Sequence, residues 1–240
     1  VFLAFQLFGP AHLSVLALTL ALPLGLAWLA RNSEPRQRLF ARFLIALLLL
    51  DRVAALAAAL HTGTLTWSNG LPMQLCDWAL VACVIALANR AQTAFDLAYF
   101  WGFSGTLQAL LTPDTSVDFA DARTWIFFGE HSGVLSSVLF LIFAFRLRIS
   151  LRSLGRAWAW SQVYLACAVL VNWALGANYG YLCRKPVHAS LFDWLGPWPL
   201  YLGSLELLAV VFYGFYFLLF FLGERWLRRD IAVAPRAGGV

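Results

Sequence analysis

Apolar residues run through this chain in long blocks separated by short polar connections. Each block is about twenty residues long, which at about 1.5 Å of helical rise per residue matches the roughly 30 Å hydrocarbon core of a bilayer. The pattern predicts helices over about 11–30, 39–61, 71–89, 94–112, 124–145, 157–177 and 200–223. A transmembrane β-barrel would show segments of about ten residues with alternating polarity instead. No linker, low-complexity tract or internal repeat interrupts the series, so a single domain over 1–240 is expected. The first block has neither a basic stretch before it nor an Ala-x-Ala-like end, so it reads as a span and not as a cleaved leader. The expected fold class is all-α, a polytopic membrane protein built as a seven-helix transmembrane bundle.

Composition agrees: 62% of the 240 residues are hydrophobic and 12% charged, against about a quarter charged in a soluble domain. The 17 Lys and Arg residues are distributed unevenly. Arg31, Arg36, Arg38 and Arg42 flank the first connection, Arg90 the third, Arg146, Arg148, Arg152 and Arg156 the fifth, and Arg225, Arg228, Arg229 and Arg236 follow the last helix. The opposite side has Arg123, Arg184 and Lys185, and Arg52 stands inside a helix. Positive residues stay cytoplasmic, which puts the N-terminus outside and the C-terminus in the cytoplasm of a bacterial cell membrane. The +5 net charge is thus a topological signal. No basic face with base-stacking groups points to nucleic acid. Trp67, Trp125, Trp194 and Trp198 fall at outer helix ends, and Trp158, Trp160 and Trp226 at inner ends, as in an aromatic belt.

Polar residues inside apolar helices are costly and mark sites or pathways. Here most gather toward the outer side: His12, His61, Gln74, Cys76, Asp77, Gln108, Thr112, Glu130, His131, Asn172, Asn178 and Glu206. Counted from the expected outer helix ends, Cys76 lies about 7 Å and His131 about 10 Å deep. Asp51, Arg52 and Asp96 fall outside this layer and read as packing and folding determinants. Arg52 is expected to pair with an acid from another helix.

Cys76 is the candidate nucleophile. A lone cysteine in an apolar helix ordinarily behaves as a small hydrophobe, and Cys83 and Cys167 keep that reading. A reactive cysteine needs a base to take its proton. His131 is the histidine at compatible depth, with Asp77 or Glu206 as a possible orienting acid. Glu130 neighbours His131 in sequence but points elsewhere on the helix. His12 and His61 read as interfacial or supporting, and His188 as a hydrated loop residue. The last outer loop, from Asn178-Tyr179-Gly180 to Pro197-Trp198-Pro199, has prolines that interrupt helix and aromatics that favour the interface, as a lid or an anchored loop would. Gly176-x-x-x-Gly180 permits close helix packing. No CxxC or Cys/His spacing suggests a metal site or a disulfide framework.

Leu71-Pro72-x-x-Leu75-Cys76, Phe100-Trp101-Gly102-x-x-Gly105-x-x-Gln108-Ala109-x-x-Thr112-Pro113-Asp114, Phe127-Phe128-x-x-His131, and Asn178-Tyr179-x-x-Leu182-x-x-x-Pro186 through Gly196-Pro197-Trp198-Pro199 occur in this order. In these motifs the chain resembles the YwaF/TMEM164 family of seven-span membrane proteins, from about residue 8 to 223. The resemblance implies a membrane acyltransferase that moves fatty acyl chains between a phospholipid and a lysophospholipid. It implies a cysteine nucleophile matching Cys76 and a histidine partner matching His131. The chain departs from many members at Gln74, where they have His. On this reading Gln74, Gln108, Asn178 or Tyr179 line the substrate site or donate to the oxyanion, and no metal or soluble cofactor is needed. A phospholipid hydrolase, or a transporter or receptor whose polar layer is a ligand pocket, are the alternatives.

Overall fold

Proline and short polar side chains set where the helices begin. In the computed structural model, α1 (Pro10–Ala30) and α2 (Glu34–His61) each have a proline in the first turn, where its missing N–H costs nothing. Helix α3 (Leu75–Asn89) starts after Gln74, whose backbone N–H is accepted by the Asp77 carboxylate at 2.9 Å. Asp121 caps α6 (Ala122–Phe143) by accepting the Arg123 N–H at 2.8 Å. The Arg123 guanidinium grips the same carboxylate, which is held down at about 2, below the usual range. Ser150 and Ser153 cap each other at the start of α7 (Leu151–Leu175). The last long helix is α8 (Leu200–Val233).

Between α3 and α6 runs one interrupted rod. Helix α4 (Gln92–Trp101) passes through a π-helical turn, Gly102–Thr106, into the short α5 (Leu107–Leu111). The turn packs against α6 and α3: a Cβ on Gly102 would stand 3.4 Å from Val138, and one on Gly105 3.4 Å from Leu75.

The structure describes residues 5–113, 119–186 and 191–233, with side chains to Arg225. Asp114, His188, Ser190 and Arg236 lie outside the described residues, as do the side chains of Trp226, Arg228 and Arg229. Among the described residues there are helices and no strand. Five helices, α1, α2, α6, α7 and α8, are long and apolar enough to cross a membrane. Helix α3 is shorter at 15 residues, and the α4–α5 rod is broken by its π turn.

These two elements differ from the others because they are internal. Every residue of α4 from Ala94 to Trp101 is buried. Helix α3 packs on α2, α4 and α6, and α6 packs also on α1. Large apolar side chains are exposed along α1, α2, α7 and α8, among them Leu18, Leu50, Val53, Leu170, Trp173 and Leu207, which is the surface lipid would cover. Trp67, Trp125, Trp194, Trp198, Trp158 and Trp160 are exposed as a belt requires.

Some boundaries moved. Helix α2 begins at Glu34, ahead of the expected 39, since charged side chains at its inner end remain helical and form the Glu34–Arg38 pair. Helix α3 begins at Leu75 and not near 71, because Pro72 and the Gln74 cap hold the lead-in extended. Gly176 and Gly180 do not form a packing face. Helix α7 ends at Leu175, and both glycines adopt positive φ, 63° and 64°, in the turn that follows.

Candidate functional site

The first turn of α3 is the centre of the site. Gln74 is its N-cap, Cys76 lies one residue beyond the start, and Asp77 closes the turn. Cys76 therefore sits at the mouth of the helix, beside its free N–H groups, and not a turn or two inside. Asp77 is buried and holds several partners at once. Besides the Gln74 N–H, it takes an ion pair from Arg52 of α2, and it faces the imidazole of His131.

Arg52 also reaches Glu130 of α6 at 3.6 Å. Glu130 lies beside the Cys76 thiol, while its Oε1 makes no hydrogen bond among the described residues. Asp51 stands next to Glu130 and packs onto Gly129, where a Cβ would collide with it. Its Oδ2 is likewise without a partner. Glu130 and Asp77 thus border the thiol, and Asp51 and Arg52 of α2 join them in one cluster drawn from α2, α3 and α6.

His131 is buried and lies flat on Phe127, with ring centroids 4.3 Å apart. Its Nδ1 is 2.7 Å from the Phe127 carbonyl oxygen. A carbonyl only accepts, so Nδ1 carries a proton, and the neutral form of the ring has its lone pair at Nε2. That is the state of a general base. Cys76 and His131 make no hydrogen bond to each other among the described residues; Asp77, next to Cys76 in the chain, is close enough to His131 for their charges to act on each other. His12 is different. Its Nδ1 accepts the Phe8 N–H at 3.0 Å and its Nε2 bonds the Leu110 carbonyl at 2.8 Å. Both nitrogens are consumed, and the residue ties the N-terminal segment to the end of α5.

The last outer loop is seated on the same turn. The Gln74 Oε1 accepts the Gly180 N–H at 3.0 Å. The Tyr179 hydroxyl accepts the Leu71 N–H at 3.0 Å and donates to the Trp67 carbonyl at 3.2 Å. The Asn172 side chain of α7 closes on the Tyr179 backbone through two bonds of 2.7 and 2.9 Å. Tyr164 of α7 lies beneath, its hydroxyl 3.2 Å from the Met73 carbonyl and its ring edge-on to Trp78. Tyr164 and Cys76 are neighbours.

The other sequence candidates lie further away. The Asn178 amide is bound into its own turn, donating to the Arg184 carbonyl and accepting the Cys183 and Arg184 N–H groups. Gln108 faces α8, where its Nε2 is 3.5 Å from the Tyr216 hydroxyl. Glu206 accepts a 2.9 Å hydrogen bond from Gln162 of α7. The buried Cys83 thiol points at the Val134 carbonyl, 3.7 Å away.

Glu130, Asp51 and Tyr164 were not among the sequence candidates. The signal for Glu130 was Arg52: a guanidinium within an apolar helix needs acids from its neighbours, and Glu130 and Asp77 both answer it. Tyr164 carried no signal, since it differs in nothing from an interfacial tyrosine.

Apolar helices facing outward around a buried ionic cluster define an all-helical, multi-pass membrane protein. The chain belongs to the TMEM164 family, which it matches over residues 7–217. It is similar to an uncharacterized protein of Treponema pallidum (strain Nichols), 30% identical over 190 residues that cover 76% of this chain and 77% of the relative. No solved structure matches it.

Proposed function

We propose that the protein is a phospholipid acyltransferase of a bacterial cytoplasmic membrane, working through an acyl-thioester on Cys76. Helix α3 and the α4–α5 rod complete seven spans, with the N-terminus outside and the site near the outer leaflet. The observation that carries the reading is the environment of Cys76: it is the cysteine at a helix mouth, bordered by carboxyl groups, with a histidine nearby whose Nε2 is a free base. The first half-reaction forms the bond from Cys76 Sγ to the ester carbonyl carbon and breaks the ester C–O bond. The thiol proton passes to the departing lysophospholipid oxygen. In the second half the hydroxyl of another lysophospholipid attacks the thioester, gives its proton to His131, and Cys76 recovers a proton as it leaves. The Gln74 Nε2 group, in no hydrogen bond among the described residues, is the donor suited to the oxyanion. A donor that resides in the outer leaflet fits this site, because a soluble cytosolic acyl carrier does not reach that face.

The test is transfer from a fluorescent phospholipid to a lysophospholipid in proteoliposomes of the purified protein. Cys76→Ala should abolish transfer, while Cys83→Ala and Cys167→Ala remain active. His131→Ala should slow it by about 10²–10⁴-fold, the usual worth of acid–base catalysis. Release of free fatty acid without transfer would make the protein a hydrolase. Full activity in Cys76→Ala would end the thioester mechanism.

A further inference from the structure

Glu130 lies against the Cys76 thiol, and among the described residues no hydrogen bond reaches its Oε1. Glu130 is 8% exposed. One side of its carboxyl is fixed by Arg52, 3.6 Å away. The other oxygen, Oε1, is buried without a hydrogen-bond partner. A buried carboxyl oxygen is ordinarily hydrogen-bonded, so an unpartnered one beside a thiol calls for an explanation. Among the described residues the charged and titratable neighbours of Glu130 are Asp51 and Arg52 from α2 and Cys76 and Asp77 from α3; His131 of α6 and Tyr164 of α7 stand behind them, on the Asp77 side. Asp77 is committed to the Gln74 N–H and to Arg52. His131 has no hydrogen bond to Cys76 among the described residues. Glu130 is left as the base placed to meet the thiol proton.

We infer that Glu130 is a further catalytic residue, the immediate proton acceptor of Cys76, with Arg52 as the positioning residue that keeps its carboxylate charged and aimed. The inference rests on Cys76 being the nucleophile. As Sγ bonds to the ester carbonyl, the S–H bond breaks and its proton moves to Glu130 Oε1. The carbonyl electron pair moves onto oxygen and returns as the ester C–O bond breaks. The departing lysophospholipid oxygen then takes the proton from Glu130, which is restored to its carboxylate. His131 keeps the second half-reaction, in which the acceptor hydroxyl must be deprotonated.

Thiol chemistry tests this without any lipid. The full-length protein, carrying Cys83→Ala, Cys167→Ala and Cys183→Ser so that Cys76 is the single thiol, is alkylated with N-ethylmaleimide across a pH series. With Glu130 as base, the rate has a plateau at low pH, below the rise caused by free thiolate. Glu130→Gln should remove that plateau and slow alkylation there by about tenfold or more, within the range of general-base effects. Glu130→Asp, which keeps the charge on a shorter arm, should retain a lowered plateau and guards against misfolding of the amide variant. His131→Ala should leave the plateau in place. The opposite sign overturns the inference: if Glu130 were only a repulsive neighbour, Glu130→Gln would make alkylation faster, and an unchanged rate would show no coupling. Acyl transfer measured in parallel separates the two readings. Transfer that survives Cys76→Ala ends the thioester reading, whereas transfer lost in Cys76→Ala with alkylation indifferent to Glu130→Gln ends only the role of Glu130.

Discussion

Arg52 of α2 and Asp77 of α3 form an ion pair inside the bundle, and the same guanidinium reaches Glu130 of α6. Three helices are thereby tied at one cation beside Cys76. Asp77 is almost wholly buried, while the Arg52 side chain is 42% exposed. Removing Arg52 strands two carboxyl groups in a low-dielectric interior. Arg52→Leu should lower stability by about 1–3 kcal/mol, less than the roughly 3–5 kcal/mol of a fully buried pair because the arginine is partly open. Asp77→Leu also loses the cap of α3 and should cost more. The double variant should lose less than the sum of the two. Thermal unfolding in detergent measures all three; strict additivity would mean that the pair is not coupled.

Much of this arrangement is visible in the sequence, and the reasons for the rest are local. Block length gave the five long apolar helices, because bilayer thickness constrains them directly. Arg52 announced a cross-helix pair for the same reason. The π turn at Gly102–Thr106 was not legible: a π-helical turn changes the backbone register without changing composition. Glu130 was read as pointing away from the site because adjacent helical residues diverge by about 100°. That argument overlooked that α2 and α3 both flank α6, so two diverging side chains find partners in one cluster. Asn178 was misjudged on type alone, since an asparagine at a loop corner is as ready to bond its own backbone as a ligand.

Gly180 holds the outer loop onto the site by geometry that a side chain would spoil. Its φ is +64°, and a Cβ there would stand 2.6 Å from the Tyr164 hydroxyl. Gly180→Ala should strain the turn by about 1 kcal/mol or more, weaken the Gln74–Gly180 bond and reduce acyl transfer. Tyr164→Phe removes the colliding oxygen. Combined with Gly180→Ala it should recover part of the lost activity and melting temperature, though not the cost of the left-handed backbone. A double variant worse than either single change would refute this clash.

Near the start of α4 a second pair is independent of the site. Asp96 of α4 is fully buried and accepts from Arg156 Nε of α7 at 2.7 Å and from Gln92 Nε2 at 2.7 Å. Asp96→Ala leaves Arg156 and Gln92 without their acceptor and should destabilise by about 3–5 kcal/mol. Arg156→Ala should cost less, about 1–3 kcal/mol, because Gln92 still donates to the carboxylate and the arginine is partly open. Neither change touches the alkylation rate of Cys76 in protein that remains folded. Thermal unfolding and maleimide kinetics on the same samples check both statements; an altered thiol rate in folded Asp96→Ala protein would show that the two clusters communicate.

The proposed orientation can be read from two positions on opposite faces. Cys183 lies exposed in the loop after α7, on the side with few arginines. Gly155 lies in the first turns of α7, exposed, with no atom within 4 Å of the place a Cβ would take, so Gly155→Cys adds a thiol without disturbing the packing. Ser153, two residues earlier, is unsuitable because it is buried and caps α7. Two samples are compared in intact cells: protein whose only accessible thiol is Cys183, and protein with Cys183→Ser and Gly155→Cys. A membrane-impermeant maleimide should label the first directly and the second only after permeabilisation. The reverse result would invert the bundle, move the mouth of α3 to the cytoplasmic leaflet, and reopen soluble cytosolic acyl carriers as donors. Labelling of both from outside would mean that α7, the one long helix between them, does not cross the membrane.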